Sequence, residues 1–228
     1  VTVHHELQVL ADPGALAAAA ATWLAEAARV AVGDHGGFTF AVSGGRTPWQ
    51  MFAELAHEDV PWQSTTIFQV DERVVPAEDP DRNLHHLMEA LAGAPAAVEA
   101  MPVEDAEPDQ GAARYAALLP EHFDVVHLGL GPDGHTASLV PGDAVLEVTD
   151  RLVAPTAGPY QGDRRMTLTY PALARARQLL WLVAGEEKVD ALAKLMRGDI
   201  SIPAGRVSAG ASLVMADAAA AAGLGGGS

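Results

Sequence analysis

A chain of 228 residues without a single cysteine is long enough to bury a full core, and it rules out disulfides, cysteine metal ligands and thiol nucleophiles. Only 14 Lys and Arg stand against 30 Asp and Glu, a formal net charge of −16, which argues against nucleic-acid binding because phosphate backbones demand a basic face. The first residues carry no basic run ahead of an apolar segment, and the most apolar helical stretch, Ala15 to Ala25, reads as too short to span a bilayer. The expectation is a cytoplasmic protein without nucleic-acid, membrane or obligate protein partners.

Glu6 to Leu10 reads as a short edge strand. Asp12-Pro13 supplies an N-cap and a proline at the first helical position, opening an alanine-rich helix to about Val32. Phe38 to Val42 is the next strand, Ser43-Gly44-Gly45-Arg46 a glycine loop, and Thr47-Pro48 the cap of a helix through Ala56. That loop has the parts of an anion site: glycines let backbone N–H groups approach a ligand, a helix N-terminus adds partial positive charge, and Arg46 adds a charged fork. Gly-Gly also serves a plain strand-to-helix turn, and the G-K-[ST] ending of a Walker A loop is missing.

Thr66 to Val70 is a strand that runs into Asp71-Glu72-Arg73. Charges there sit where an α/β sheet displays functional groups, or simply solvates its ends. Asp81 to Leu91 is predicted helical and bears Asn83, His85 and His86; adjacent histidines point to different sides of a helix and make a poor metal pair. Residues 92–109 form a connection with at most one short strand, followed by a helix from Gln110 to Leu119.

The stretch Phe123 to Gly142, FDVVHLGLGPDGHTASLVPG, anchors the reading. An apolar run ending in glycines, then a Pro-Asp-Gly turn, delivers His135 to a tight loop at the carboxyl end of a buried strand, the edge where open α/β sheets bind ligands. Gly129, Gly131 and Gly134 make a literal G-x-G-x-x-G, but Pro132 lies inside the loop, Pro141 cuts the next segment short, and Asp150 precedes the following apolar run instead of ending it. A dinucleotide site is therefore disfavoured. His127, within the strand, reads as a packed side chain.

Arg151 to Ala154 is a further apolar run, Arg164-Arg165 leads into the strand Met166 to Thr169, and Leu179 to Ala184 is a near-continuous apolar strand. Gly185-Glu186-Glu187 opens a helix to Met196, Ile202 to Val207 is a loop, Ser212 to Met215 a last strand, and the alanine run through Ala222 a last helix; residues 223–228 are expected to be a flexible tail. The scarce arginines Arg46, Arg73, Arg164, Arg165 and Arg206 all lie in or beside loop signals, which on an acidic chain suits a small anionic ligand. Strands and helices alternate throughout. The expected fold is α/β, a largely parallel central sheet with helices on both faces in a Rossmann-like three-layer arrangement, as one domain over 1–222 with room for a small C-terminal subdomain.

Three segments carry a resemblance: SGGRTP at 43–48, VDERVVP at 70–76 with Asn83 downstream, and GLGPDGHTASLVPG at 129–142. With RMTLTYPAL, LVAGEEK and IPAGRV they resemble the 6-phosphogluconolactonases. The resemblance implies hydrolysis of 6-phospho-D-glucono-1,5-lactone to 6-phosphogluconate with no metal and no organic cofactor. It would make His135 the general base acting on water, and would give the oxyanion to Arg73 and to backbone N–H groups of the Gly131-Pro132-Asp133-Gly134 turn. It would place the sugar phosphate on Ser43, Gly44, Gly45, Arg46, Thr47 and Asn83, with Arg164, Arg165 and Arg206 as further contacts. Asp71 would orient Arg73 or His135, or bind a sugar hydroxyl.

The chain departs from that family in two places. A Ser-Pro-Lys-Pro segment common before the Arg-x-Thr strand is here Gly158-Pro159-Tyr160-Gln161, which removes a lysine and leaves Arg164 as the replacement charge; Val140 stands for a usual phenylalanine. Glucosamine-6-phosphate deaminases resemble the same layout. Their histidine loop continues toward Asn-Glu-Pro, however, whereas this one runs Ala137-Ser138-Leu139-Val140-Pro141, and Arg73 directly follows Asp71-Glu72. The remaining alternative is a sugar-phosphate-binding module of the same fold that senses and does not catalyse.

Overall fold

Apolar runs too uniform to face water on either side require a sheet buried on both faces, and the computed structural model, which describes residues 4–224, contains one. The first half of the chain forms β1 (His5–Leu10), α1 (Pro13–His35), β2 (Phe38–Val42), α2 (Arg46–Leu55), β3 (Thr65–Gln69), β4 (Asp71–Arg73), α3 (Asn83–Ala90), β5 (Ala97–Glu99) and α4 (Pro108–Leu118). The second half forms β6 (Phe123–Gly129), β7 (Val153–Pro155), β8 (Arg165–Leu168), α5 (Tyr170–Leu173), β9 (Ala176–Val183), α6 (Val189–Met196) and β10 (Ala211–Asp217). Seven strands in the order β1-β10-β9-β6-β2-β3-β5 pair in parallel throughout.

Alternation along the strands sends side chains to two separate cores. On β6, Val125 joins the cluster under α1, α2 and α3, while Val126 joins the cluster under α4, α5 and α6. The helices thus lie on both faces, as expected. The Asp12 carboxylate caps α1 by accepting from Ala15 N at 2.8 Å, and Gly36, in the left-handed region at φ 84°, ends it. This helix is longer than the apolar stretch read from the sequence: its 23 residues and a window of mean hydropathy 1.4 suffice to cross a membrane. Its stripe of Leu16, Ala20, Leu24 and Ala28 is packed on the sheet.

Two segments differ from expectation. Asp71-Glu72-Arg73, read as charges at the end of the preceding strand, form a strand of their own, β4, the edge of a small antiparallel sheet in the order β4-β8-β7. This small sheet takes β7 and β8 from the C-terminal half and β4 from the other. The alanine run after β10 is a short 3₁₀ turn, Ala220–Gly223, not an α-helix. Asp217 explains the change, since its carboxylate accepts from Ala220 N at 2.8 Å and from Gly185 N at 3.1 Å and ties the chain back to the sheet. Of the predicted tail, Leu224 packs on the core, and residues 225–228 lie outside the described residues.

The strand order also locates the crevice. From β2 the chain goes on to β3 on one side, and from β6 to β9 on the other. The loops leaving β2 and β6 therefore diverge at neighbouring carboxyl ends, the switch point at which open α/β sheets bind ligands.

Candidate active site

At that switch point lies a cavity of about 490 Å³, walled by the loops after β2, β4 and β6, the turn before β8 and the loop after β9. The glycine loop after β2 has a steric reason for its composition. A Cβ on Gly44 would overlap the Asn83 amide, so only glycine lets α3 close against this wall. Gly45, at φ 131°, then turns the chain into α2, whose N-terminus opens at the cavity beside Arg46 and Thr47.

The loop after β6 is a self-contained turn. Gly131 N donates to His135 O at 2.8 Å, Gly134 N donates to Gly131 O at 2.9 Å, and Thr136 Oγ1 pins the end by donating to Gly129 O at 2.8 Å. Asp133 Oδ1 accepts from His135 N at 3.1 Å and stands 2.6 Å from His135 Nδ1. A carboxylate can only accept, so Nδ1 carries a hydrogen, and in the neutral ring Nε2 is the nitrogen with the lone pair. Partial burial pushes the Asp133 carboxyl up, but its hydrogen bonds to the ring and backbone of His135 outweigh this and hold it below the ordinary Asp range. Of the turn's expected oxyanion donors, the N–H groups of Gly131 and Gly134 are spent within it and residue 132 is proline, which leaves the Asp133 N–H.

Arg73 is placed by a buried clamp. Glu72, wholly buried, accepts from Gln69 Nε2, Arg73 N, Asn83 N and Leu84 N at 2.7–2.8 Å, with Arg82 Nε at 3.5 Å. This carboxylate joins the end of β3, β4 and the first turn of α3. Arg73 Nη1 then donates to the Asp81 carbonyl and, at 3.2 Å, to Asn83 Oδ1. Among the described residues no carboxylate lies within ion-pair distance of Arg73, Arg46 or Arg165, although Asp71, Asp81 and Glu187 also line the cavity and Glu187 lies 3.8 Å from Lys188.

Asp71 faces the same cavity from β4. Ser138 Oγ donates to its Oδ2 at 2.7 Å, and burial pushes its carboxyl above the ordinary range, an effect only partly offset by that hydrogen bond and by the charge of Arg165. Among the described residues its carboxylate bonds neither Arg73 nor His135; Asp133, and not Asp71, orients the histidine. Arg165 is itself buried, and burial lowers its guanidinium from the usual value.

The family model described as glucosamine-6-phosphate isomerases/6-phosphogluconolactonase matches residues 11–215. The chain belongs to this family. It is 37% identical over 179 residues to the 6-phosphogluconolactonase of Synechocystis, covering 72% of this chain and 74% of that one. It is 40% identical over 174 residues to the human GDH/6PGL endoplasmic bifunctional protein, covering 69% of this chain and 22% of that longer one. The fold superposes on the crystal structure of 6-phosphogluconolactonase from Thermotoga maritima with a TM-score of 0.84 at 25% identity, covering 93% of this chain and 99% of that one. A monomeric glucosamine-6-phosphate deaminase superposes at 0.79 with 19% identity, covering 96% of this chain and 99% of that one, a likeness of fold alone.

Of the residues the sequence nominated, Ser43, Gly44, Gly45, Arg46, Thr47, Asp71, Arg73, Asn83, Gly131, His135 and Arg165 all line this one cavity. Asp133 stands behind the imidazole, and a Cβ on Gly134 would overlap Ile202, so that glycine serves packing. Two arginines do not join the site. Arg164 donates to the Thr156 carbonyl at 3.0 Å, and Arg206 pairs with Glu147 at 3.2 Å with its guanidinium 5.0 Å from the Tyr170 ring centroid. Sequence reasoning missed Lys188, which lines the cavity just after β9. Its signal was the strand–glycine–helix pattern of LVAGEEK, the pattern already used to nominate Arg46. Among the described residues no three His, Asp or Glu side chains gather as a metal would need.

Proposed function

We propose that the protein hydrolyses 6-phospho-D-glucono-1,5-lactone to 6-phosphogluconate, with His135 as the general base and no metal taking part. The observation that carries this reading is the Asp133-held imidazole in the same cavity as Arg73, a guanidinium without a carboxylate partner. A free Nε2 takes a proton from water as the water oxygen bonds to the lactone carbonyl carbon, a step that such a base accelerates by about 10²- to 10⁴-fold. The negative charge that develops on the carbonyl oxygen is met by Arg73. As the tetrahedral intermediate collapses, the bond from that carbon to the ring oxygen breaks and the imidazolium returns its proton to that oxygen. Atoms and charges balance with water as the only co-reactant. The N-terminus of α2, Arg46 and Lys188 provide the positive surroundings that a phosphate requires. Relatives bearing the lactonase name at 37% and 40% identity support the choice of substrate. We place the protein in the cytoplasm as a soluble metabolic enzyme acting on a small molecule.

A second reading within the family takes Asp71 as a base for a carbon-bound proton in an aldose–ketose isomerisation. Its support is the position of that carboxyl in the cavity wall, with burial pushing it up. The experiment that separates the two offers wild-type protein freshly generated 6-phosphogluconolactone in one arm and glucosamine 6-phosphate in the other. Decay of the lactone faster than the protein-free blank, with no ammonia released from the amino sugar, is the expected result. The reverse pattern would assign the isomerase reaction, and binding of 6-phosphogluconate without either turnover would leave a sensing module.

A further inference from the structure

One side chain with no part in the reading above touches the imidazole itself. Tyr160 enters the cavity at the start of a two-residue turn, closed by Tyr160 N donating to Asp163 O at 2.8 Å. The central residues, Gln161 at φ 53° and Gly162 at φ 100°, both occupy the left-handed region. For a glutamine this is strained by about 1 kcal/mol or more, so the surroundings must hold the turn. Arg165 does so. Its Nη2 donates to the Tyr160 carbonyl at 3.2 Å, and its guanidinium carbon lies 6.0 Å from the ring centroid.

The tyrosine ring meets the His135 ring edge-on, with centroids 5.0 Å apart at an interplanar angle of 61°, and its Oη stands 3.2 Å from Nδ1. Nδ1 has a single hydrogen. Asp133 Oδ1 at 2.6 Å is its near acceptor, so Tyr160 Oη is a second, weaker acceptor of the same N–H, while Gln161 Nε2 donates to that oxygen at 3.4 Å. An imidazole held only by Asp133, a loop side chain 40% exposed, could rock about the line joining Nδ1 and Oδ1. The tyrosine ring blocks that rocking on one side, and the hydroxyl completes a forked acceptor.

We propose that Tyr160 is a positioning residue for His135: its ring and hydroxyl fix the imidazole plane so that Nε2 stays aimed into the cavity. The kinetic consequence rests on the lactonase reading; the structural one does not. Misplacement of a reacting group by about 1 Å can lower a rate by about 10²-fold. Tyr160→Phe keeps the ring and removes the second acceptor, and is expected to lower kcat by about 3- to 10-fold. Tyr160→Ala removes both and is expected to lower it by about 10- to 100-fold, with KM within about twofold of wild type in each case.

Two readouts isolate the mechanism. Calorimetry of 6-phosphogluconate binding to His135→Ala and to His135→Ala/Tyr160→Ala is expected to give equal affinities; a loss in the double variant would make Tyr160 a substrate contact and overturn the proposal. ¹⁵N NMR of the imidazole needs no turnover. Wild type is expected to show a sharp Nδ1–H signal and Tyr160→Ala the same tautomer, set by Asp133, with a broadened line, whereas an unchanged line width in the variant would overturn the proposal whether or not the lactone is the substrate.

Discussion

His127 sits at the centre of the parallel sheet, in register with Val42 on β2 and Leu180 on β9, wholly buried and with neither ring nitrogen hydrogen-bonded. Burial pushes this imidazole down from the ordinary value of 6.5 to about 3. The unfolded chain therefore binds a proton below pH 6.5 that the native protein refuses until about pH 3. Stability is full at neutral pH and falls as the pH drops through that window. Because pH 5 lies about 1.5 units below the unfolded value, the loss there is about 2 kcal/mol, at about 1.4 kcal/mol per unit. His127→Leu removes the group and its unpaired N–H, itself a penalty of about 1–3 kcal/mol. Urea unfolding of both proteins at about pH 7.5 and about pH 5 isolates the effect, since every other titrating group is common to both. The variant's advantage is expected to grow by about 2 kcal/mol at the lower pH with the urea dependence unchanged. An advantage that stays constant or shrinks would show that the imidazole is protonated or hydrated in the native sheet, and would refute the argument.

Three further outcomes follow from the clamp and the charges. Glu72→Gln leaves Arg82 without its buried partner and one oxygen fewer for four N–H donors, so unfolding stability is expected to fall by about 3 kcal/mol, with a loss of kcat/KM because Arg73 and Asn83 are no longer held. Denaturant midpoints and steady-state kinetics on the same preparation check both. Lys188→Ala is expected to raise KM by about 10- to 100-fold, the worth of one charged hydrogen bond to phosphate. Arg206→Ala, whose side chain is engaged by Glu147 and Tyr170 away from the cavity, is expected to leave kcat/KM within about twofold.

The parallel sheet was legible because its signals are local. Phe38 to Val42 runs into Ser43-Gly44-Gly45 and Phe123 to Gly129 ends in glycine, and each puts its loop at the carboxyl edge. β4 was not legible, since three charged residues show no alternation and become a strand only by pairing with Arg165, Met166 and Thr167 across more than ninety positions (73 to 165). The same distance hid the role of Arg206. Its loop looked like that of Arg46, and nothing local announces Glu147, 59 positions away. Glu72 read as an end charge, although its four N–H donors make it the organiser of the Arg73 wall. The turn at Gly131 to Gly134 was recognised, but the N–H groups of its two glycines bond within the turn, a matter of backbone geometry that glycine spacing does not encode.

The central claim is that His135, held by Asp133, activates the water that opens the lactone. Its most direct test is the decay of freshly generated 6-phosphogluconolactone with wild type, His135→Ala and Asp133→Asn, each corrected for the spontaneous rate. The account predicts that the excess rate falls by about 10²- to 10⁴-fold in His135→Ala, with a smaller loss in Asp133→Asn, while both variants still bind 6-phosphogluconate. An excess rate in His135→Ala equal to that of wild type would contradict it and move the base elsewhere in the cavity, with Asp71 first in line.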